Sequence, residues 1–347
     1  MKYLYPKLAL AGLAAVALTP LAMASLESSY QFNGRGNWSL DAVGSNNSPV
    51  GTVQAYVPVG SIVEKAFLYS SLSSGSLSSV NFDGTVLDSS DFTSLGFNSY
   101  LHAYRADVTS LVSAKVGSGS ATRFDFSVLS ENPNTGTDGE LLAVVYRNAG
   151  EAERTIAFLD GFSTSASDSF SVNLGSPLID PTTPGFEALL SLGIGFGYQP
   201  SGQYSRVDID GRRLTTSAGG QDDGISADGG LITVGGLDDT STNPNDPFAT
   251  DGAGPRSDDE LYNLAQGNGA SSLPFLSTGS THFTVNTQNP SGDDNIFFAA
   301  LNITARAGVD QPPPPPVDGS AVPEPSTYGI IGGIALLGLA LRRRFKK

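Results

Sequence analysis

Short runs of β-branched and aromatic residues, most of them five to nine residues long, are the feature that most restricts the fold of this 347-residue chain. Val, Ile, Phe, Tyr and Thr dominate these runs, and Gly, Asn, Asp, Ser and Pro separate them, as in strands joined by turns. The predicted strands are 53–59, 62–70, 80–82, 85–87, 100–108, 123–129, 141–146, 155–162, 170–174, 187–198, 205–209, 231–234, 282–287 and 295–305. This spacing predicts an all-β protein, an antiparallel sandwich that is jelly-roll-like.

Three segments refine the strand prediction. Arg123–Leu129 alternates apolar and polar residues, as a strand with one buried face does. Leu141–Tyr146 is continuously apolar, which is typical of a central buried strand. The pair Asp83-Gly84 favours a tight two-residue hairpin between the strands on either side of it.

The sequence also predicts one or two short helices among these strands. The first spans 109–116, and Gly117 would end it. The second starts at Ser257, because Ser at the N-cap with Glu260 three residues later forms a capping box ahead of Leu261 and the apolar residues that follow.

Charge and cysteine content limit the partners of the chain. Residues 25–321 contain 12 Lys and Arg and 33 Asp and Glu, a formal net charge of −21, against −15 for the whole chain. An acidic protein repels nucleic acid and anionic lipid, so binding to DNA or RNA is excluded. The absence of cysteine removes disulfides and thiol chemistry, and His102 and His282 are the only imidazoles.

The first 24 residues have the layout of a secretory signal peptide. A charged start precedes the apolar run 8–18, and Ala22 and Ala24 form a small-x-small cleavage site before Ser25. The alternative, an N-terminal membrane helix, is disfavoured because the apolar run is short and Pro20 follows it.

The last 26 residues contain three physically different segments. The first segment is Val322, Pro323, Glu324 and Pro325. Its prolines hold the chain extended, since proline fixes φ and disfavours the α region in the residue before it. The second, 328–341, is uncharged and would form a transmembrane helix about 21 Å long, shorter than a hydrocarbon core of roughly 30 Å. The third is a basic cluster that includes Arg342, Arg343 and Arg344. It would stop the span and stay in the cytoplasm.

This tripartite tail resembles the PEP-CTERM sorting signal of Gram-negative bacteria, with 322–325 as the motif itself. The resemblance implies two processing partners, signal peptidase and an exosortase, the second of which would cut near the motif. It also implies a precursor tethered to the inner membrane through its C-terminal helix and a mature protein at the cell surface or outside the cell. A plain C-terminal membrane anchor is the alternative.

The body between the two ends is loosely similar to a β-domain of unknown function in microbial surface proteins. The similarity runs over roughly residues 50–305 and lies in the segments 106–112, 140–146, 156–162, 258–261 and 293–297. It implies the fold and a surface location only, because no activity is established for that family.

Four regions are expected along the chain. They are a signal peptide at 1–24, a β-sandwich ectodomain at 25–308, a proline-rich linker at 309–321 and the sorting signal at 322–347. Within the ectodomain, residues 211–256 are dense in Gly, Asp, Asn and Ser, and only 231–234 is strand-like there. This segment is predicted to be a long surface loop or a flexible insertion.

The acid-rich zone 208–259 is the candidate metal site, and calcium is the cofactor it would hold. Calcium takes six to eight hard oxygen ligands on a flexible loop. The candidate ligands are Asp208, Asp210, Asp222, Asp223 and Asp228. Ordinary turn chemistry is the competing explanation, since Asp-Gly pairs are common turn residues and no EF-hand spacing is present.

Catalysis and sugar binding have weaker signals in the sequence. No Gly-x-Ser-x-Gly elbow selects a catalytic nucleophile. The glycine-rich segment 193–197 is not a dinucleotide-binding loop, because no helix is predicted after it and Pro200 interrupts the chain there. His102 on a strand is most simply a hydrogen-bonded structural residue. Trp38, the only tryptophan, would be either a stacking platform for sugar or an aromatic plug of the sandwich.

The sequence therefore predicts an exported, acidic surface or matrix protein without catalytic residues. Its expected role is structural or adhesive, in a biofilm or exopolysaccharide layer. The alternative is a secreted glycan-active hydrolase or a calcium-dependent carbohydrate-binding module.

Overall fold

A computed structural model describes most of the chain between Ser25 and Pro315. The described residues are 25–45, 48–73, 75–98, 101–117, 120–130, 136–164, 166–195, 205–219, 232–249, 260–292 and 295–315. Those up to Pro313 belong to one compact unit.

Nineteen strands and one helix occur in this part of the chain. The first half contains β1 (Glu27–Gly44), β2 (Val50–Tyr56), β3 (Ile62–Leu72), β4 (Ser79–Phe82), β5 (Thr85–Asp88), β6 (Phe92–Asn98), β7 (Leu101–Asp107), α1 (Thr109–Gly117), β8 (Arg123–Ser130) and β9 (Thr137–Arg147). The second half contains β10 (Glu153–Asp160), β11 (Asp168–Leu174), β12 (Ala188–Gly195), β13 (Ser205–Ile209), β14 (Arg212–Ala218), β15 (Ile232–Val234), β16 (Leu261–Asn263), β17 (His282–Gln288), β18 (Asn295–Ile303) and β19 (Ala307–Val309). The all-β prediction is confirmed, and α1 is the helix expected at 109–116.

The first half of the chain has the strand order of a jelly roll. One sheet runs β1-β9-β3-β7-β6 and the other β2-β8-β4-β5. All of these pairs are antiparallel. The chain changes sheet at every connection except the hairpins β4–β5 and β6–β7, which is the winding of an eight-stranded jelly roll with β6 added at one edge.

The second half repeats the same winding. One sheet runs β10-β18-β12-β15 and the other β11-β17-β13-β14. Strand β16 also pairs with β12, and β19 is added beside β11. Apart from β6, each strand of the first jelly roll therefore has a counterpart in the second. In chain order, β1 to β5 correspond to β10 to β14, and β7, β8 and β9 correspond to β15, β17 and β18. The body is a double jelly roll.

The two jelly rolls share the long strand β1. Its first part pairs with β10 as far as Arg35, and its second part pairs with β9 from Gly36 onward. A Cβ atom on Gly36 would overlap the carbonyl oxygen of Tyr146 and meet the ring of Phe32. Glycine is therefore required where β1 passes from one jelly roll to the other.

One hairpin shows the repeat in the sequence as well. Residues 80–87 read Val-Asn-Phe-Asp-Gly-Thr-Val-Leu, and 127 positions later 207–214 read Val-Asp-Ile-Asp-Gly-Arg-Arg-Leu. The turn residues adopt positive φ in both copies, 49° and 86° at Asp83-Gly84 and 48° and 77° at Asp210-Gly211. Both are the two-residue turns that suit tight hairpins, so the turn predicted at Asp83-Gly84 is confirmed.

Three hydrophobic cores separate four layers of sheet. Each jelly roll has its own interior core, and a third core lies between their two large sheets. In β9, Leu142 faces the interior core of the first jelly roll and Leu141 faces the third core. In β18, Leu301 faces the interior core of the second jelly roll and Phe298 faces the third core. The continuous apolar run of β9 follows from this burial on both faces.

Aromatic side chains and one ion pair make up much of the third core. Phe158 and Phe298 approach with ring centroids 5.4 Å apart, and Tyr69 lies 5.0 Å from Phe298. Asp160 accepts a hydrogen bond from the Tyr69 hydroxyl at 3.1 Å and forms an ion pair with Arg105. These contacts join β3 and β7 of the first jelly roll to β10 and β18 of the second.

Two expectations from the sequence are wrong. The capping-box helix is absent where the described chain resumes: Glu260 has φ of 52° and is buried, and Leu261–Asn263 is strand β16. The segment 211–256 contains the strand expected at 231–234, which is β15 (Ile232–Val234), but Arg212–Ala218, expected to be loop, forms β14. The strands β1, β6 and β19 were also not expected.

Replacing Gly36 tests the crossing of β1. We expect Gly36→Ala to lower the free energy of unfolding by about 1–3 kcal/mol, because the added methyl group forces backbone to move. Gly117→Ala is the matched control, since a Cβ there meets open space. Urea unfolding of both variants measures the difference, and equal stability of the two would contradict the assignment.

Candidate functional site

The sorting and cleavage residues predicted from the sequence lie outside the described residues. They are Ala22, Ala24, Val322, Pro323, Glu324, Pro325, Arg342, Arg343 and Arg344. In the part of the chain that the structure does describe, no helix is both long and apolar enough to cross a membrane.

The two ends of the described chain meet in the second jelly roll. Strand β1 begins at Glu27 beside β10, and β19, the last strand before the proline-rich linker, is paired with β11. We call the surroundings of the residues 25–31, 168–171 and 307–311 the terminal junction. It is the part of the body to which both predicted processing signals are attached.

Gln31 joins the two ends directly. Its side-chain amide donates to the carbonyl of Ala307 at 3.1 Å, and its side-chain oxygen accepts from the N–H of Val309 at 3.1 Å. Asp310 then pairs with the backbone of Ser171 in both directions, at 2.8 and 2.7 Å. The chain is therefore held by side chains of β1 and by β11 up to the start of the linker.

Asp208 and Asp210, two of the five calcium candidates, have protein partners. Asp208 forms an ion pair with Arg213 at 2.7 Å. Asp210 accepts the N–H of Thr284 at 2.8 Å and occupies the hairpin turn. In the described residues no group of three or more His, Asp or Glu side chains is placed to hold a metal ion. The other three candidates, Asp222, Asp223 and Asp228, lie outside the described residues.

Trp38 and His102 occupy structural positions. Trp38 is half-buried on β1 and packs against the third core, as expected for an aromatic plug. His102 is half-buried on β7, and its ring lies 4.8 Å from that of Phe97, whose side chain is exposed. The second imidazole, His282, is on the distant strand β17 and is exposed.

Glu140 is a buried acid that the sequence did not single out. It is fully buried at the end of the first jelly roll, where Ser45 donates to its carboxylate at 2.5 Å. Burial raises the pKa of Glu140 to about 7, although the hydroxyls of Ser45, Ser70 and Ser130 oppose this shift. A side chain without solvent contact cannot reach an external substrate, so its role in this position is structural.

Asp41, which is half-buried, also has a raised pKa. Burial raises the pKa of Asp41 to about 7. Its carboxylate accepts the N–H of Gln54 at 2.5 Å, and Ser39 accepts the N–H of Tyr56 at 2.9 Å. Both N–H groups lie on the outer edge of β2, so these side chains cover an edge that would otherwise be open to another strand.

A groove of about 500 Å³ lies beside the repeated turn of the second jelly roll. Asp180, Asp210 and Arg212 provide its charged groups, and Leu273 on its rim is 70% exposed. The guanidinium of Arg212 lies 3.9 Å from the centroid of the Phe275 ring and donates to three backbone carbonyls, which fixes this wall. The wall of the groove thus combines charged groups with one exposed apolar side chain.

Comparison with known proteins identifies the tail. The PEP-CTERM protein-sorting motif matches residues 321–344. The chain is thus an exported all-β protein with a C-terminal sorting signal, anchored in the membrane before processing. In particular, it carries the PEP-CTERM signal and is a substrate for sorting by an exosortase.

Similarity to other known proteins is slight. No curated protein matches the chain. Among solved structures, wild-type BuGH86 in complex with neoagarooctaose is 9% identical with a TM-score of 0.22, and a variant of the same protein with the same ligand is 10% identical with a TM-score of 0.20. Each match covers 81% of this chain but only 34% of that one, and scores of this size do not establish a common fold.

Glu140 gives a prediction on pH. A carboxyl group whose pKa is raised on folding stabilises the protein below its ordinary pKa, and this stability is lost as the pH rises from about 4.5 to about 7. The loss is on the order of 3 kcal/mol for a fully buried group. We expect Glu140→Gln to flatten the fall of the melting temperature between pH 5 and pH 8. Glu153→Gln, at an exposed position, is the control and should leave the dependence of the melting temperature on pH unchanged. An unaltered pH profile in Glu140→Gln would show that this carboxyl is not the source.

Proposed function

We propose that this protein is a structural or adhesive component of the cell surface or extracellular matrix, in a biofilm or exopolysaccharide layer. The observation that supports the proposal is the PEP-CTERM motif at the end of a chain whose body is a double jelly roll. The signal directs the body to the outside of the cell, and the body itself supplies a thick, densely packed module. In this proposal the protein is not an enzyme.

Two physical features support a role outside the cell. The net charge of −21 on residues 25–321 keeps the body soluble and repels anionic lipid, so the body would stand clear of the membrane. The linker that follows includes five consecutive prolines, Pro312–Pro316, and proline-rich segments act as semi-rigid spacers of about 3.1 Å per residue.

The sorting signal can be tested by removing its prolines. We expect Pro323→Ala with Pro325→Ala to keep the tail uncut and the protein in the membrane fraction, while the unaltered chain is released without residues 1–24 and without its tail. Pro312→Ala with Pro314→Ala, in the linker, is the matched control and should be processed normally.

The measurement is cell fractionation followed by the intact mass of each form. Loss of biofilm mass or of cell-surface retention in the uncut variant would support the structural or adhesive role. Full-length protein in the cytosol with both ends intact would rule out the proposal.

The groove beside the repeated turn favours a second candidate, a carbohydrate-binding module. An exposed leucine next to carboxylate and guanidinium groups matches the apolar face and hydroxyl edge of a sugar ring. If this module depends on calcium, a chelator should reduce both binding and the melting temperature. A glycan-active hydrolase at the same groove would release reducing ends from the polysaccharide of the producing cells.

Replacing Leu273 tests whether the groove binds carbohydrate. We expect Leu273→Asp to weaken binding to the cell's own exopolysaccharide more than tenfold, because the apolar contact is replaced by a carboxylate. Val86→Asp is the matched control, since Val86 is 55% exposed on β5 of the first jelly roll. Calorimetric titration of both variants gives the comparison, and equal affinities would exclude the groove as the binding site.

A further inference from the structure

The first residues of the expected mature chain are built into the body. Leu26 is 3% exposed and belongs to the interior core of the second jelly roll. Its N–H donates to Oδ2 of Asp168, the first residue of β11, at 2.6 Å. The chain is therefore fixed at the second position after the predicted cleavage site.

Ser25, the residue before Leu26, packs with its backbone against Gly161. Gly161 has φ of 135°, a conformation that other residues rarely adopt, and a Cβ atom there would overlap the carbonyl oxygen of Ser25. The glycine lets the backbone of Ser25 lie directly against the end of β10. The sequence thus specifies the position of Ser25 as well as that of Leu26.

Asp168 is the acid next to this site, and the charges of two further carboxylates, those of Glu27 and Asp310, act on it. Asp168 carries the charge nearest to Leu26; burial first, and then the negative charges of Asp310 and Glu27, raise the pKa of Asp168. The hydroxyl of Ser25 lies 3.5 Å from the carboxylate of Glu27. In the described residues none of the three acids forms an ion pair with Lys or Arg.

We propose that this place is a binding site for the chain's own α-ammonium group, which cleavage between Ala24 and Ser25 creates. Hydrolysis adds water across that peptide bond, leaves a carboxylate on Ala24 and an amino group on Ser25, and the amino group takes up a proton near neutral pH. The new cation lies one residue from the N–H that Asp168 already binds. This inference rests on the export and signal cleavage assumed in the proposed function.

The site couples maturation to the terminal junction. In the precursor the Ser25 nitrogen is a neutral amide, and the three acids repel one another. In the mature chain one positive charge is added near Asp168 on β11, on which the negative charges of Glu27 on β1 and Asp310 after β19 already act. Since these are the elements that hold the start of the linker, cleavage at the N-terminus stabilises the attachment of the C-terminal linker.

A double-mutant cycle tests the site. Two forms of the chain, both ending at Lys347 and purified in detergent, would begin at Ser25 or at Ala24, and each would also be made with Asp168→Asn. The additional residue moves the amino group by up to about 3.6 Å. We expect it to lower the melting temperature of the protein with Asp168 and to have little effect in the Asp168→Asn background.

The pKa of the Ser25 amino group is the direct measurement. By NMR with ¹⁵N-labelled serine, we expect it to lie about one unit above the ordinary range of roughly 7.7–8.0 in the form that begins at Ser25. It should return to that range in Asp168→Asn. Because the folded pKa of this cation is raised, its stabilisation is present below about pH 7.7 and is lost as the pH rises through the folded value.

Two outcomes would overturn the inference. They are an amino pKa in the ordinary range and an equal cost of the additional residue with and without Asp168. Both leave the proposed function intact, since export is measured separately by fractionation. Uncut protein in the cytosol would instead remove the proposed function.

Discussion

The structure depends on one strand being a member of two jelly rolls. Strand β1 pairs with β10 and then with β9, so the backbone hydrogen bonds of both large sheets run through a single continuous segment. The two large sheets lie face to face, and their apolar surfaces form the third core. Burial on both faces explains the continuous apolar runs 141–146 in β9 and 296–301 in β18, although an antiparallel sheet commonly has one face in contact with water.

Local patterns allowed most strands to be predicted, because they depend on neighbouring residues. The alternation of β8, the apolar run of β9 and the turn at Asp83-Gly84 each give their signal within a few residues. Strand β1 gives no such signal. Its centre, 33–37, reads Asn-Gly-Arg-Gly-Asn, which is turn chemistry, and it becomes a strand only because β9 and β10 lie on either side of it. The glycines there serve close packing, which the sequence alone does not reveal.

The duplication of the jelly roll gives only a weak signal in the sequence, for a related reason. The hairpins 80–87 and 207–214 are similar, but later strands of the second jelly roll are displaced further, because longer connections surround β15 and β16. A search for one fixed period cannot detect such a duplication. The false helix at Ser257 has a local cause as well: the capping-box residues are present, but Glu260 is buried with positive φ and its carboxylate accepts hydrogen bonds from Gly219 and Tyr262. A tertiary contact there outweighs local helix propensity.

The way β19 is held determines how the body responds to a mechanical load. A pull along the linker reaches the fold at Asp310 and acts on a strand of three residues, joined to β11 by few hydrogen bonds and to Gln31 by its side chain. Force applied at one end of a short antiparallel strand breaks its hydrogen bonds one after another rather than all together. The linker end of the second jelly roll would therefore yield first under tension, before the strands around the third core separate. A pull on the linker would therefore lengthen the attached chain by the few residues of β19 before the body unfolds.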